Sequence, residues 1–225
     1  MRKITRYVWH TGKLTSPMRL LVVSDLHNGR YEDILPLLSE ADVLLMPGDL
    51  AERHGQFFKR GIAFLREATQ IVPVYLGIGN HEMRLKTYAD FARQVEETGT
   101  KLLFNTYERF GELVIGCWYR PKHFKHEDML PAFQAEEGCR VLMSHRPEDY
   151  AAHLADKDVD LVLSGHAHGG QWRFFGHGVF APGQGLFPKY TKGIVDKMII
   201  SAGAGGNAPV PRILNPKEIL LIELD

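Results

Sequence analysis

The sequence has 225 residues, of which 44% are hydrophobic and 24% charged, an ordinary composition for a soluble globular protein. Its 27 basic and 27 acidic side chains balance, so no overall basic field attracts the protein to nucleic acid or to an anionic membrane. The two cysteines, Cys117 and Cys139, form neither a CxxC pair nor a disulfide framework, which favours a reducing compartment.

The N-terminal segment MRKITRYVWHTGKL is basic and contains no apolar run of signal-peptide or transmembrane length. We therefore expect a cytoplasmic protein. Tyr7, Trp9 and the nearby cations leave open the alternative of a peripheral contact with a membrane.

The first half of the chain alternates short apolar runs with longer amphipathic segments. By their length and β-branching, the apolar runs predict buried strands, whereas the amphipathic segments predict helices. The strands are expected at residues 19–24, 43–46 and 71–76, and the helices at 31–40, 56–70 and 83–98.

The second half predicts strands at residues 112–118, 140–144, 160–163 and 218–224, and a helix at 147–154. Between Gly169 and Gly206 the chain is rich in Gly, Pro and aromatic residues, with short strand-like pieces at 172–175 and 197–201. Alternating strands and helices followed by irregular β-structure predict a layered α/β fold. No linker is visible, so we expect residues 1–225 to form a single domain.

Five of the predicted strands end in side chains that commonly bind metals. Ligands in layered α/β folds bind beyond the carboxyl ends of the strands. A single histidine near a strand end is more often a satisfied polar residue than a ligand, but five such strand ends in order indicate one shared site. The side chains concerned are Asp25, His27, Asp49, Asn80, His81, His145, His166 and His168.

Carboxylate, imidazole and amide donors suit Mn, Fe, Zn or a similar divalent ion. Seven of these eight donors are already too many for one ordinary ion, but seven divide well between two ions if one carboxylate bridges. Paired ions about 3.5–4 Å apart hold a bridging hydroxide and clamp a phosphoryl group during in-line displacement. Gly48, Gly79 and Gly165 lie beside these donors and allow sharp turns and close approach of a substrate.

Five motifs resemble those of the calcineurin-like metallophosphoesterase superfamily: DLH at 25–27, GDL at 48–50, GNHE at 79–82, SH at 144–145 and GHAH at 165–168. The segment 165–193, which contains GGQ and later KYTKG, further resembles a branch of bacterial phosphodiesterases. Some members of that branch act on cell-envelope substrates, including a nucleotide-sugar lipid pyrophosphate. The resemblance implies a four-layer αββα sandwich of two mixed β-sheets flanked by helices.

The resemblance also implies roles for individual residues. His81 would stay uncoordinated near the phosphate, where it stabilises the transition state or protonates the leaving oxygen. The run GDLAERHG departs from the acidic pattern common in relatives and places His54 near the site, or in an exposed loop. The implied ligands are Asp25, His27 and His168 for the first metal, Asn80, His145 and His166 for the second, and Asp49 as the bridge.

Two further side chains are candidates for binding a substrate phosphate. Arg146 follows a proposed ligand and could meet a phosphate oxygen bidentately; alternatively it forms a salt bridge to Glu148 or Asp149. Asn28 follows the DLH motif and could contact the same phosphate, or it serves only as a polar turn former beside Gly29.

Aromatic residues are concentrated after the last motif, between residues 172 and 190. Part of this run predicts strand core, and the rest predicts the wall of a pocket for a base, a sugar or an acyl chain. The segment 118–124 is a second candidate rim of such a pocket.

We therefore expect a dinuclear metal-dependent phosphohydrolase that cleaves phosphodiester or pyrophosphate bonds by a metal-bridging hydroxide. Its substrate would be a small-molecule or lipid-linked phosphodiester or pyrophosphate, with manganese, iron or zinc as the two ions. The sequence indicates no nucleic-acid partner and no obligate protein partner. A nuclease or cyclic-nucleotide phosphodiesterase, and a non-catalytic scaffold of the same fold, are the alternatives.

Overall fold

The computed structural model describes residues 2–120, 128–206 and 211–225. Residues 121–124 of the predicted pocket rim therefore lie outside the described residues. In chain order the strands are β1 (Lys3–Trp9), β2 (Met18–Val22), β3 (Val43–Met46), β4 (Val74–Gly77), β5 (Lys101–Leu103), β6 (Thr106–Phe110), β7 (Leu113–Cys117), β8 (Cys139–Met143), β9 (Leu161–Ser164), β10 (Arg173–Phe174), β11 (His177–Gly178), β12 (Phe180–Ala181), β13 (Gly185–Leu186), β14 (Gly193–Val195), β15 (Met198–Ile200) and β16 (Glu218–Leu224). The α-helices are α1 (Leu35–Leu38), α2 (Lys59–Ala68), α3 (Tyr88–Glu97) and α4 (Leu130–Ala135).

Two six-stranded sheets form the centre of the fold. The first has the strand order β1-β16-β2-β3-β4-β5, and the second has the order β14-β15-β9-β8-β7-β6. Each sheet is mixed: β16 and β2 pair antiparallel in the first, as do β14 with β15 and β6 with β7 in the second, while the remaining pairs are parallel. The remaining strands form two short hairpins, β10–β11 and β12–β13.

The strands read as continuous apolar runs because both of their faces are buried. In β2, Leu20 and Val22 pack into the core between the two sheets, whereas Leu21 packs against the helices on the outer side. In β8, Val141 and Met143 face the same inter-sheet core, and Leu142 faces α4. Three apolar layers result, and they confirm the expected α/β sandwich of two mixed sheets flanked by helices.

The helices are shorter than the periodicity predicts, because residues at their predicted ends form turns or pair with other backbone segments. The predicted start of α2 at residue 56 is wrong, since Phe57 exchanges two backbone hydrogen bonds with Glu52, of 2.8 and 2.9 Å. The predicted helix at 83–98 is interrupted at Leu85, which is extended with ψ 127°. Residues 147–154 contain only a single π-helical turn, Tyr150–Leu154.

Pro73 sets the start of β4. Proline has no N–H to donate to a ladder, so the strand predicted at 71–76 begins at Val74. The carbonyl of Pro73 still accepts a hydrogen bond from Leu44, at 2.9 Å.

The N-terminal segment forms β1 at the edge of the first sheet, in parallel register with β16. Tyr7 and Trp9, the residues proposed for membrane contact, are half-buried and pack against the inter-sheet core. The indole of Trp9 also donates to the carbonyl of Asp160, at 3.0 Å. No helix in the three described ranges is long and apolar enough to cross a bilayer.

Substitution of Phe64 tests the outer helical layer. Phe64 in α2 is 0% exposed, whereas Phe175 is 101% exposed and serves as the matched control. We expect Phe64→Ala to lower the free energy of unfolding by about 3–5 kcal/mol because it leaves a cavity, and Phe175→Ala to change it by about 0.5 kcal/mol or less. Urea denaturation followed by circular dichroism measures both, and equal losses would contradict the buried position of Phe64.

Candidate metal centre

The five predicted strand ends meet at one edge of the sandwich. Strands β2, β3 and β4 are parallel neighbours in the first sheet, and β8 and β9 are parallel neighbours in the second. Their carboxyl ends therefore point the same way within each sheet, and the loops that follow them come together. The predicted ligands in these loops are buried, except for the half-buried His168: Asp25, His27, Asp49, Asn80, His145 and His166.

One group of three side chains could hold a metal ion: Asp25, His27 and His168. Oδ1 of Asp25 lies 3.5 Å from Nε2 of His168 and 3.8 Å from Nε2 of His27. The two Nε2 atoms lie 3.1 Å apart. Three donor atoms thus converge on one point, as the donors of a metal site must.

A second group consists of Asp49, His145 and His166. Nε2 of His145 lies 3.1 Å from Oδ2 of Asp49, and the rings of His145 and His166 lie 5.1 Å apart between centroids. Asn80 lines the same cavity as Asp49 and His166.

The carboxylate of Asp49 connects the two groups. Its Oδ2 atom lies 3.1 Å from His145 in the second group and 4.0 Å from Nε2 of His27 in the first. His81 lies beside this carboxylate, with its Nε2 atom 3.8 Å from Oδ2 of Asp49. Asp49 therefore lies between the two groups, with His81 next to it.

The donor set fits divalent metal ions. Within the described residues, the buried Oδ1 atom of Asn80 and the buried Nδ1 atom of His145 have no hydrogen-bond partner, although such atoms are usually satisfied in folded proteins. Carboxylate, imidazole and amide groups suit Mn, Fe or Zn. Both cysteines are free and buried in strands, and neither Cys117 nor Cys139 belongs to a group of converging donors.

Burial controls the protonation of the histidines. Loss of solvation lowers the pKa of His27 to about 4 and the pKa of His166 to about 3, so both rings are neutral at pH 7, as metal binding requires. Burial also disfavours a charge on His145, but the carboxylate of Asp49 outweighs it and raises the pKa of His145 to about 9. The charge of Asp49 is in turn stabilised against its burial by His145, which lowers the pKa of Asp49 well below its ordinary value.

Five of the seven predicted ligands have positive φ angles: Asp25 (55°), His27 (51°), Asp49 (56°), His166 (65°) and His168 (47°). Residues other than glycine rarely adopt this backbone conformation, which costs of order 1 kcal/mol or more for each residue. Backbone hydrogen bonds between the loops hold it in place, since His27 donates to the carbonyl of Asp49 at 3.0 Å and His166 donates to the carboxylate of Asp25 at 3.1 Å.

Two glycines allow the loops to approach each other. A Cβ atom on Gly79 would lie 2.2 Å from Oδ1 of Asp49, and a Cβ atom on Gly165 would lie 1.8 Å from Oγ of Ser24. Both distances are far below van der Waals contact, so only glycine fits at these positions.

Glu82 binds the backbone of the loops that carry the ligands, a role that the sequence did not reveal. Its fully buried carboxylate accepts hydrogen bonds from the backbone N–H groups of Asp49 (2.9 Å), Ala51 (2.8 Å) and Gly79 (2.9 Å). Burial and the nearby charge of Asp49 raise the pKa of Glu82 to about 7. Its position in the GNHE motif is the only sequence signal that could have identified it.

Arg212 also contacts the site and follows the motifs by more than forty residues. Its Nη2 atom lies 3.0 Å from Nδ1 of His168, and its guanidinium donates to the carbonyls of Ala202 and Gly205, both at 2.7 Å. No motif marks this arginine, because the segment that carries it is distant in the sequence and comes near the site only when the chain folds.

A cavity of about 590 Å³ opens over the ligands. Arg146 lines it, with its guanidinium 5.2 Å from the ring centre of Tyr119 and a 3.1 Å hydrogen bond to the Tyr119 hydroxyl. Asn28 instead accepts hydrogen bonds from the first turn of α2, from the N–H groups of Arg60 (2.7 Å) and Gly61 (3.2 Å). This contact with α2 is a structural role that the sequence did not predict for Asn28, and a phosphate contact stays a prediction. His54 is an exposed loop residue.

Comparison with known proteins identifies the family that the chain matches. A family model described as calcineurin-like phosphoesterase matches residues 18–170, a range that contains all seven predicted ligands. The structure of TT1561 from Thermus thermophilus has a TM-score of 0.52 at 14% identity, over 67% of this chain and 82% of that chain. This likeness concerns the fold alone.

Two curated relatives are 27% identical to the chain. A metallophosphoesterase of Campylobacter jejuni, described as uncharacterized, matches over 232 residues, or 94% of this chain and 60% of that protein. The phosphodiesterase YaeI of Escherichia coli matches over 181 residues, or 70% of this chain and 63% of that protein. The chain therefore spans about 60% of the length of these relatives.

Removal of the Glu82 carboxylate tests its support of the loops. We expect Glu82→Ala to lower the free energy of unfolding by about 3 kcal/mol, because three buried N–H groups lose their acceptor. Glu82→Gln keeps one acceptor oxygen and should lose less. The exposed Glu137→Ala is the control, and a Glu82→Ala variant as stable as this control in urea denaturation would contradict the role.

Proposed function

The chain belongs to the calcineurin-like phosphoesterase family, and we propose that it hydrolyses phosphodiester or pyrophosphate bonds with two divalent metal ions. The observation that carries the proposal is the position of Asp49, whose carboxylate oxygen lies within 3.1 and 4.0 Å of histidine nitrogens from two different ligand groups. A single carboxylate between two such groups is the arrangement that a bridged pair of ions needs.

Each ion would have its own set of ligands. When bound, the two ions would supply Lewis-acid activation of the phosphoryl group and of water, with manganese, iron and zinc as the candidates. The proposed ligands are Asp25, His27 and His168 for the first ion, Asn80, His145 and His166 for the second, and Asp49 for both.

His81 is suited to stabilising the leaving oxygen. Its Nδ1 atom accepts a hydrogen bond from the backbone N–H of Arg53 at 3.2 Å, and its partial burial lowers its pKa below the ordinary value for histidine. The neutral ring therefore carries its proton on Nε2, the atom that faces Asp49 at 3.8 Å. This Nε2–H group would donate a hydrogen bond to the oxygen on which negative charge develops as the leaving group departs.

Arg146 would bind the substrate phosphate. Its guanidinium lines the cavity and is oriented by the ring and hydroxyl of Tyr119, which leaves other donors of the fork for a phosphate oxygen. Arg53 and Arg84 line the same cavity. Glu148 and Asp149 line the cavity as well, so the three arginines are suited to contacting individual phosphate oxygens and do not make the whole opening cationic. The name of the E. coli relative supports a diester.

The substrate would be a small-molecule or lipid-linked diester or pyrophosphate. A cytoplasmic location and the nature of the attacking nucleophile stay predictions.

Substitution of the shared carboxylate tests the proposal. We expect Asp49→Asn and His166→Ala to lower kcat/KM by about 100-fold or more, because each removes a ligand, while circular dichroism shows the fold kept. The exposed His177→Ala is the control. The measurement is hydrolysis of bis(p-nitrophenyl) phosphate by protein reconstituted with Mn²⁺, Fe²⁺ or Zn²⁺, together with metal analysis.

The same assay extended to cyclic nucleotides, single-stranded DNA and a UDP-sugar separates the alternative substrates. If folded Asp49→Asn kept the full metal-stimulated turnover, the proposed metal centre would be wrong. Inactivity of the unmodified protein with every metal and ester would instead support the non-catalytic scaffold.

Replacement of His81 tests its proposed hydrogen bond. We expect His81→Ala to lower kcat by about 10²-fold or more for a diester with an alkoxide leaving group, because the hydrogen bond stabilises the charge that is concentrated on the alkoxide oxygen. The loss should be clearly smaller for p-nitrophenolate, which spreads its charge over the ring. If both esters lose the same factor, His81 binds or orients the phosphate and does not act on the leaving group.

A further inference from the structure

Glu148 places a carboxylate in the cavity over the candidate metal centre. Its Oε1 atom lies 3.9 Å from Nε2 of His166. Among the described residues, no other acidic side chain outside the proposed ligands has an oxygen this close to a nitrogen of a ligand histidine. A negative group therefore lies at the edge of the second ligand group, in a cavity proposed to bind an anion.

Glu148 lies beside the second ligand group without belonging to it. The ligand atoms of Asp49, His145 and His166 all lie within 4.8 Å of one another. In the part of the chain that the structure describes, no group of donors this close together includes Glu148. Its carboxylate is therefore not placed as a further metal ligand, and its charge can act on a substrate instead.

The charge of Glu148 has no cation in contact with it. The sequence leaves open a salt bridge from Arg146 to Glu148 or Asp149, but within the described ranges neither ion pair forms and the guanidinium contacts Tyr119. Oε2 of Glu148 is buried and has no hydrogen-bond partner there either. Burial raises the pKa of Glu148, although its own backbone N–H hydrogen-bonds to the carboxylate. The neighbouring His166 is neutral at pH 7 and offers no compensating charge, because burial lowers its pKa to about 3.

The turn between β12 and β13 holds Glu148 in place. A Cβ atom on Gly183 in this turn would lie 2.1 Å from Oε1 of Glu148. Gly183 has a φ of 78°, so the conformation of the turn and its close approach both favour glycine. Held between this turn and His166, the half-buried carboxylate has little room to move away from a bound anion.

A fixed carboxylate distinguishes phosphate esters by their charge. At pH 8 a phosphodiester carries one negative charge, whereas a phosphomonoester carries close to two. Like charges repel strongly at short range in a partly buried site. The second charge of a monoester is therefore disfavoured beside Glu148, whereas the ester group that replaces it in a diester is uncharged.

We propose that Glu148 is a specificity-determining residue, which selects phosphoryl groups with one negative charge against the doubly charged group of a monoester. The inference rests on the proposed function, because it concerns a phosphate bound at that site. Arg53, Arg84 and Arg146 line the cavity and would attract both classes of ester. A repulsive group is the element that can separate them.

The test variant is Glu148→Gln, which removes the charge and keeps the shape that packs on Gly183. The matched control is Glu137→Gln, which removes one negative charge from an exposed position. Three esters that release p-nitrophenolate are compared at pH 8, with the full chain reconstituted with Mn²⁺: bis(p-nitrophenyl) phosphate, p-nitrophenyl phosphate and p-nitrophenyl methylphosphonate. The phosphonate has the size of the monoester but only one charge, so it separates charge from size. Metal analysis accompanies each measurement.

We expect Glu148→Gln to raise kcat/KM for the monoester, relative to the diester, by about tenfold or more. The ratio of phosphonate to diester should stay unchanged, and Glu137→Gln should change neither ratio. An unchanged ratio of monoester to diester would overturn the proposal. An equal gain for the phosphonate would also overturn it, because Glu148 would then exclude small esters by shape. Loss of bound metal from Glu148→Gln would instead make Glu148 a ligand and contradict the proposal.

Equilibrium binding of phenylphosphonate keeps this result separate from the proposed function. Phenylphosphonate is doubly charged at pH 8 and has no ester bond to hydrolyse, so calorimetry measures its Kd without turnover. We expect Glu148→Gln to bind it about tenfold more tightly than the unmodified protein does. Equal binding, or no binding by either protein, would defeat the role of Glu148. Absent turnover of every ester by the unmodified protein would defeat the proposed function, while the two Kd values still decide whether Glu148 repels a doubly charged group.

Discussion

The burial of charged and polar donors between two sheets is the constraint on which the rest of the structure depends. Asp25 and Asp49 are 0% and 1% exposed, and isolated carboxylates at such depth would be strongly destabilising. Against this burial, His168 and His145 lower the pKa of Asp25, and His145, whose own pKa is raised to about 9, lowers the pKa of Asp49. The apolar layers on either side of the sheets hold the strands that carry this polar edge. The carboxylate of Glu82 accepts hydrogen bonds from backbone N–H groups of the loops.

The sequence predicts the part of the site that depends on strands and fails where the fold makes distant contacts. Apolar runs locate strands that are buried on both faces, and the polar residues at their ends follow directly. The predicted helix ends differ from those in the structure because Phe57 pairs with Glu52 and because Leu85 is extended. Strand β1 contains only half-buried and exposed residues, so no apolar run marks it in the sequence. The contact between Arg212 and His168 joins residues that are far apart in the sequence, so no periodic pattern predicts it.

Positive φ angles occur both in the metal centre and in a surface turn, for different local reasons. In the centre, positive φ angles are fixed by hydrogen bonds between loops, such as that from His27 to the carbonyl of Asp49. Phe175 and Gly176 form the two-residue turn between β10 and β11, and a turn of this length favours a positive φ at both residues. The strained backbone of the centre therefore places donor side chains of separate loops at one point, whereas at the hairpin the positive φ follows from the length of the turn.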